Sequence, residues 1–175
     1  GGGRGDGRGG GTLEDIFRPV AGQAHAAVQQ AVEAYEGAWE AVVDHNPEAQ
    51  RVLKELKARG LKTGLLSNTH WPRELHDRWL EEAGLLEHLD VRVYTSDLGH
   101  MKPHPQPFLT LLQALDVAPE ASVFVGDRPR DDIAGAQAVG MRTVLLTGRT
   151  VPAHNVTPTA QIPELSGLLE VLDRW

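Results

Sequence analysis

Residues 123–141 read VFVGDRPRDDIAGAQAVGM. An apolar run stops at Gly126-Asp127, and two more carboxylates, Asp131 and Asp132, follow before an Ala- and Gly-rich stretch that runs to Gly140. The pattern predicts a strand over Ser122–Val125 and a helix that starts at Asp131 or Asp132 and ends near Gly140. Asp127 then lies directly at a strand end, and Asp132 lies five residues on, near a helix start. Carboxylates converging from those two places suit Mg²⁺, which takes oxygen ligands and keeps several waters. An N-cap role explains one carboxylate of the Asp131-Asp132 pair and leaves Asp127 unexplained.

Working outward, the same alternation repeats. Upstream, Asn46 is placed to cap a helix with Pro47 at its first position, Val52, Leu53 and Leu56 as its buried stripe, and Gly60 as its stop. A strand is predicted over Leu61–Leu66, a helix from Pro72 to Ala83 stopped by Gly84, and a short strand over Val91–Tyr94. Pro105 opens a helix carrying Phe108, Leu111, Leu112 and Leu115. Downstream, Arg142–Leu146 is a strand, Val151–Thr159 is a Pro/Thr-rich loop, and Pro163–Trp175 is a terminal amphipathic helix. Strands alternating with helices at this spacing predict an α/β fold with a doubly wound parallel sheet. Ligands bind at the carboxyl ends of the strands in such sheets, so Ser67, Lys102 and Asp127 are expected along one edge.

Two further strand ends carry suggestive groups. Ser67-Asn68 follows the predicted strand LKTGLL. A hydroxyl and backbone N–H groups there can bind a phosphoryl oxygen, although a turn into the next helix is reason enough for Ser67, Asn68 and Thr69 taken alone. Lys102 sits in HMKPHPQPF, where Pro103, Pro105 and Pro107 stiffen the chain. The dipole of the following helix repels a lysine at this place unless an anion or carboxylates compensate it. A solvated lysine reaching away from the helix is the competing reading.

Length and composition set the outer limits. The chain has 175 residues, 41% of them apolar and 23% charged, with a formal net charge of −7. This accommodates one globular domain with a small appended lobe. An acidic chain is a poor nucleic-acid binder. Any anionic substrate therefore needs local positive charge from a metal, a lysine or a helix terminus. The absence of cysteine excludes disulfides and thiolate chemistry. No apolar run approaches the ~18 residues of a membrane span and no secretory leader is visible, so a cytoplasmic protein without membrane partners is expected.

Three elements in this order, LLSNTHWPRE, YTSDLGHMKPHPQPF and VFVGDRPRDDIAGAQAVGM, resemble motifs II, III and IV of the haloacid-dehalogenase-like (HAD) superfamily, in the subfamily with a helical cap between motifs I and II. The resemblance covers about Asn46 to Leu146. It implies a Rossmann-like α/β core and a phosphatase-type hydrolase that works through an aspartyl-phosphate on a small phosphorylated metabolite, as a monomer or homodimer. Under the resemblance Ser67 hydrogen-bonds the phosphoryl group, Asn68 supports that loop, and Lys102 neutralises phosphoryl charge. Asp127 binds Mg²⁺, and Asp132 binds it or positions it from behind. Asp131 falls where the pattern varies and is left out of the metal site.

The N-terminus departs from the family pattern. Motif I is an apolar strand followed by D-x-D-G-T-L, and only Gly11-Thr12-Leu13 matches. The nucleophile position falls on Arg8 and the acid/base position on Gly10. The preceding strand, which lies in the family between the Ser67 and Asp127 strands, is missing or replaced by a Gly-rich tail. The domain reading is a disordered tail over 1–11, a helical cap remnant over 12–45 and the α/β core over 46–175. A G-x-G-x-x-G match at Gly5, Gly7 and Gly10 has no flanking strand or helix and carries no weight. The Gly/Arg tract reads as a misread frame or wrong start of an otherwise active gene. The chain as written is expected to be inactive. A non-catalytic phosphate- or partner-binding protein and a 2-haloacid dehalogenase are the alternatives.

Overall fold

The structure, a computed structural model, describes residues 45–148, 152 and 154–175, with Gln29 in isolation. The expected tail over 1–11 and, apart from Gln29 and His45, the expected cap over 12–45 lie outside the described residues.

Two helices end as the sequence predicts. Helix α1 (Ala49–Ala58) stops at Gly60, whose φ of 74° lets Gly60 N–H reach the Lys57 carbonyl and Leu61 N–H the Leu56 carbonyl. Strand β1 (Gly64–Ser67) follows, then α2 (Arg73–Glu82), which is closed the same way by Gly84 at φ 64°. The chain continues through β2 (Val91–Tyr94), α3 (Pro105–Leu115) and β3 (Val123–Gly126). A π-helical turn (Pro129–Ala134) then runs into α4 (Gly135–Ala138), followed by β4 (Arg142–Leu146), β5 (Ala160–Ile162) and α5 (Gly167–Leu172).

All pairings are parallel, in two sheets of order β1-β2 and β3-β4-β5. Among the described residues, no strand pairs with β1 opposite β2 or with β3 opposite β4. This is the place at which the family resemblance expects a central strand. The two sheets are joined instead by apolar side chains on both faces. On one face Phe108, Leu111 and Leu112 of α3 pack in a single cluster with Leu66 of β1, Val93 of β2 and Phe124 of β3. On the other, α1 places Leu53 against Leu65, Leu80 and Tyr94, and Val52 and Leu56 against Val123, Val144, Ile162 and Leu168. Burying a side chain as completely as Phe108 contributes about 1.5–3 kcal/mol. Helices therefore cover both faces, as in a doubly wound fold.

Several boundaries differ from expectation. Strand β1 begins at Gly64 and not at Leu61. Lys62 Nζ instead caps the end of α3 by donating to the Leu115 carbonyl at 2.7 Å, and Thr63 N–H is spent on Asp90 Oδ2 at 2.8 Å. Asn46 Oδ1 accepts from Glu48 N–H at 2.9 Å in a turn, so α1 starts later than the Asn46-Pro47 signal suggests. The helical path after β3 starts at Pro129, which puts Asp131 and Asp132 inside its first turn and not at a cap. Strand β5 was not predicted, and the terminal helix is shorter than Pro163–Trp175. No helix among the described residues is long and apolar enough to cross a membrane.

Candidate active site

The proline-rich segment after β2 supplies few backbone donors, and the side chain of Asn68 compensates. Its Nδ2 donates to the Lys102 carbonyl at 3.0 Å, while its Oδ1 accepts from Lys102 N–H at 2.8 Å. This reciprocal pair fixes the Lys102 backbone beside the end of β1. Ser67, the last residue of β1, is half-buried next to it.

Lys102 turns inward from that anchor. Its Nζ donates to the Leu66 carbonyl at 3.0 Å and to Asp132 Oδ1 at 2.7 Å, and lies 5.4 Å from the centre of the Phe124 ring. The side chains of Lys102 and Asp132 are 11% and 5% exposed, so the ion pair is effectively withdrawn from water. The lysine is thus not a solvated surface group. A carboxylate balances its charge where the helix dipole would otherwise disfavour it. An ammonium has three donors, and among the described residues one of them is left after these two bonds.

Asp132 is held as tightly. Its Oδ2 accepts from Arg128 N–H at 3.0 Å, and the wide turn beneath it closes when Ile133 N–H meets the Arg128 carbonyl at 3.3 Å. Such π-turns recur at functional sites. Gly126 makes the approach possible, because a Cβ there would overlap the Asp132 carboxyl group. Both oxygens of Asp132 are therefore engaged, one by Lys102 and one by the backbone. Asp127, half-buried between Gly126 and Arg128, and Asp131, 3.6 Å from Arg128 Nη1, complete the carboxylates of this corner. Among the described residues no three carboxylate or imidazole groups gather into a metal cage.

The structure thus brings Leu66, Asn68, Lys102 and Asp132 into direct contact. It adds a neighbourhood that the sequence did not announce. Thr69 is buried, with its N–H bonded to Thr95 Oγ1 at 2.9 Å and its hydroxyl 2.7 Å from His76 Nε2. Burial pushes His76 down to about 4, outweighing the nearby Asp77 carboxylate. Burial and the hydrogen bond from its hydroxyl to Asp77 push Tyr94 up. The Thr69–Thr95 contact spans 26 residues of sequence, and no local pattern marks it.

The fold and sequence have known counterparts. The family model described as haloacid dehalogenase-like hydrolase matches residues 10–140. Pyrophosphatase PpaX of Bacillus anthracis is 33% identical over 152 residues, covering 85% of this chain and 63% of that protein. Phosphoserine phosphatase of Thermus thermophilus is 35% identical over 133 residues, covering 75% of this chain and 53% of that one. The crystal structure of 2-haloacid dehalogenase from Pseudomonas syringae superposes with a TM-score of 0.72 at 34% identity, covering 93% of this chain and 69% of that one. The chain spans between half and two thirds of the length of these curated relatives. A match over most of its residues, on a parallel α/β core, makes this chain a member of the haloacid dehalogenase-like hydrolases.

Proposed function

We propose that this corner is the phosphoryl- and metal-binding half of a Mg²⁺-dependent phosphomonoesterase site acting on a small phosphorylated metabolite. The observation that carries the reading is the buried Lys102–Asp132 pair, which holds an ammonium with a donor to spare beside Ser67. In a water-poor site, fixed donors aimed at an anion act with little reorganisation, which is the usual basis of phosphoryl-transfer catalysis. Lys102 neutralises phosphoryl charge, the Ser67 hydroxyl donates to a phosphoryl oxygen, and Asn68 keeps both in register.

The donor set suits Mg²⁺, which takes one or two carboxylates and completes its shell with water and substrate oxygen. Asp127 is the direct ligand. Asp132, with both oxygens engaged, acts from behind by orienting Lys102 and the Arg128 backbone. Mg²⁺ bound there supplies the second positive charge that a phosphate dianion needs. Positions 8 and 10, where the family places its aspartates, hold arginine and glycine, so this chain binds a phosphoryl group without turning it over. That makes it a non-catalytic binder in this form, with a cytoplasmic metabolite as ligand.

The test is calorimetric titration of the full chain with inorganic phosphate in the presence of Mg²⁺. Lys102→Met weakens binding about tenfold or more, the size of one lost charge-assisted bond, while circular dichroism reports an intact fold. Generic aryl phosphates stay unhydrolysed. Mg²⁺-dependent turnover abolished by Lys102→Ala would refute the inactivity, and phosphate affinity indifferent to Lys102→Met would refute the site. The likeness to 2-haloacid dehalogenase supports a second reading, in which the same lysine faces a haloacid carboxylate. Binding of a 2-chloro acid that persists in a chelator and is lost in Lys102→Met would favour it.

A further inference from the structure

We infer that His76 is a positioning residue for the loop after β1, its neutral imidazole taking the hydroxyl proton of Thr69 and so fixing the backbone that presents Ser67 and Asn68. The inference rests on the phosphoryl-binding reading of those two residues.

Hydrogen-bond bookkeeping around Thr69 sets the direction of that proton. Thr95 Oγ1 accepts from Thr69 N–H at 2.9 Å and donates to the Thr69 carbonyl at 3.2 Å, which uses the Thr95 proton. Thr69 Oγ1 accepts from Trp71 N–H at 3.0 Å, so its own proton points elsewhere, and His76 Nε2 stands 2.7 Å away. A hydroxyl has one proton and two acceptor lone pairs; with one lone pair taken by Trp71 N–H, the imidazole in its Nδ1–H tautomer presents Nε2 as the acceptor for that proton. The imidazole is held in orientation by a stacked Tyr94 ring at 4.7 Å and 13° and by the edge of Trp79 at 5.3 Å. Thr95 and Tyr94 are fully buried, so the frame behind the loop is rigid. Asn68 is clamped by Lys102 on one side and Thr69 by Thr95 and His76 on the other, and Ser67 is the next residue back along the chain.

The arrangement has a pH signature. The charged and titratable groups that bear on His76 are Asp77 on its own helix, whose carboxylate favours the imidazolium, and His45, ahead of α1, which disfavours it. Tyr94, stacked on the ring, spends its hydroxyl on Asp77 and carries the Arg73 guanidinium 4.9 Å from its ring centre. Burial dominates and keeps His76 neutral down to about pH 4. On protonation Nε2 becomes a donor, so the Thr69 proton loses this acceptor and the contact must reverse onto the remaining lone pair of Oγ1, which changes the set of bonds that holds the loop.

Amide exchange followed by NMR on the full chain decides the matter, with inorganic phosphate as the binding probe. In His76→Phe, which keeps a ring and removes the acceptor, amides of Asn68 to Trp71 exchange about tenfold faster relative to core amides such as Val144, and phosphate binds correspondingly more weakly. His76→Gln, which restores an acceptor, recovers most of both. Thr69→Val removes only the hydroxyl and reproduces the effect, which keeps the inference open to failure if His76→Phe does not fold. Loop amides of the wild type titrate with a midpoint near 4, and those of His76→Gln do not. Wild-type loop exchange in either His76→Phe or Thr69→Val, or a Gln variant no better than Phe, overturns the role. If the wild type binds no phosphate, the phosphoryl-site reading fails, while the exchange comparison still rules on His76.

Discussion

Two ion pairs in this molecule close at the same distance and sit in opposite settings. Lys102–Asp132 and Arg59–Asp173 both measure 2.7 Å. The first lies between the two sheets, with side chains 11% and 5% exposed. The second straps α1 to the end of α5 with side chains 30% and 63% exposed. Length therefore ranks nothing. The difference lies in what remains when one partner goes: a charge that water can reach, or one that it cannot. A buried pair also gains little over well-packed apolar residues of the same volume, so Lys102–Asp132 is better explained by the site it forms than by stability.

The largest expected effect comes from halving the buried pair. Asp132→Ala leaves the Lys102 ammonium, among the described residues, with the Leu66 carbonyl as its one hydrogen-bond acceptor and strips Arg128 N–H of the Asp132 acceptor. A loss of about 3–5 kcal/mol in urea denaturation is expected. The double variant Lys102→Met/Asp132→Leu recovers most of it, because no uncompensated charge remains. A single-variant loss below about 1 kcal/mol would place the pair in the same class as an exposed one.

A smaller effect follows from crowding the pair without removing it. A Cβ at Gly126 overlaps the Asp132 carboxyl group, whereas a Cβ at Gly99 meets nothing within 4 Å. Gly126→Ala should cost about 1–3 kcal/mol through strain and weaken phosphate binding, while Gly99→Ala leaves both near wild type. Equal effects at the two glycines would show that Asp132 has room to move and that the corner is not preorganised.

What the sequence made legible follows from the range over which its signals act. Ser122 to Val125 reads as a strand with a carboxylate, Asp127, just past its tip because apolar burial and strand exit are local. Gly60 and Gly84 read as helix stops because a positive φ after the last turn is a local demand. Lys102 was visible as an electrostatic misfit with its own helix, but the group that resolves the misfit lies 30 residues on. The resemblance offered Asp132 as a group that binds the metal or positions it from behind, and its contacts with Lys102 and Arg128 N–H come from residues 30 and 4 positions away. Thr69, Thr95 and His76 were illegible for the same reason, being common residues made specific by contacts 26 and 7 positions apart. Strand β5 has three residues, too few for an alternating pattern to register, and is defined by its pairing with β4.

The smallest expected effect lies at the exposed pair. Arg59 Nε meets Glu55 at 3.0 Å and Nη1 meets Asp173, and these partners raise its already high pKa. An arginine stays protonated in proteins, so its removal is a test of Coulomb energy near water. Arg59→Ala releases two carboxylates, and both are free to hydrate: Glu55 is 46% and Asp173 63% exposed. The attraction recovered on folding is screened by solvent and salt, and it is offset by the entropy of holding a long side chain. The cap of α1 is made by backbone bonds from Arg59 and Gly60 N–H to Glu55 and Lys57, which an alanine at position 59 preserves. The urea midpoint should therefore stay within error of wild type, and whatever difference is seen at low salt should vanish at high salt. A salt-insensitive loss at Arg59 would mean that the strap acts by packing its aliphatic stem against α5, and exposure would then cease to separate the two pairs.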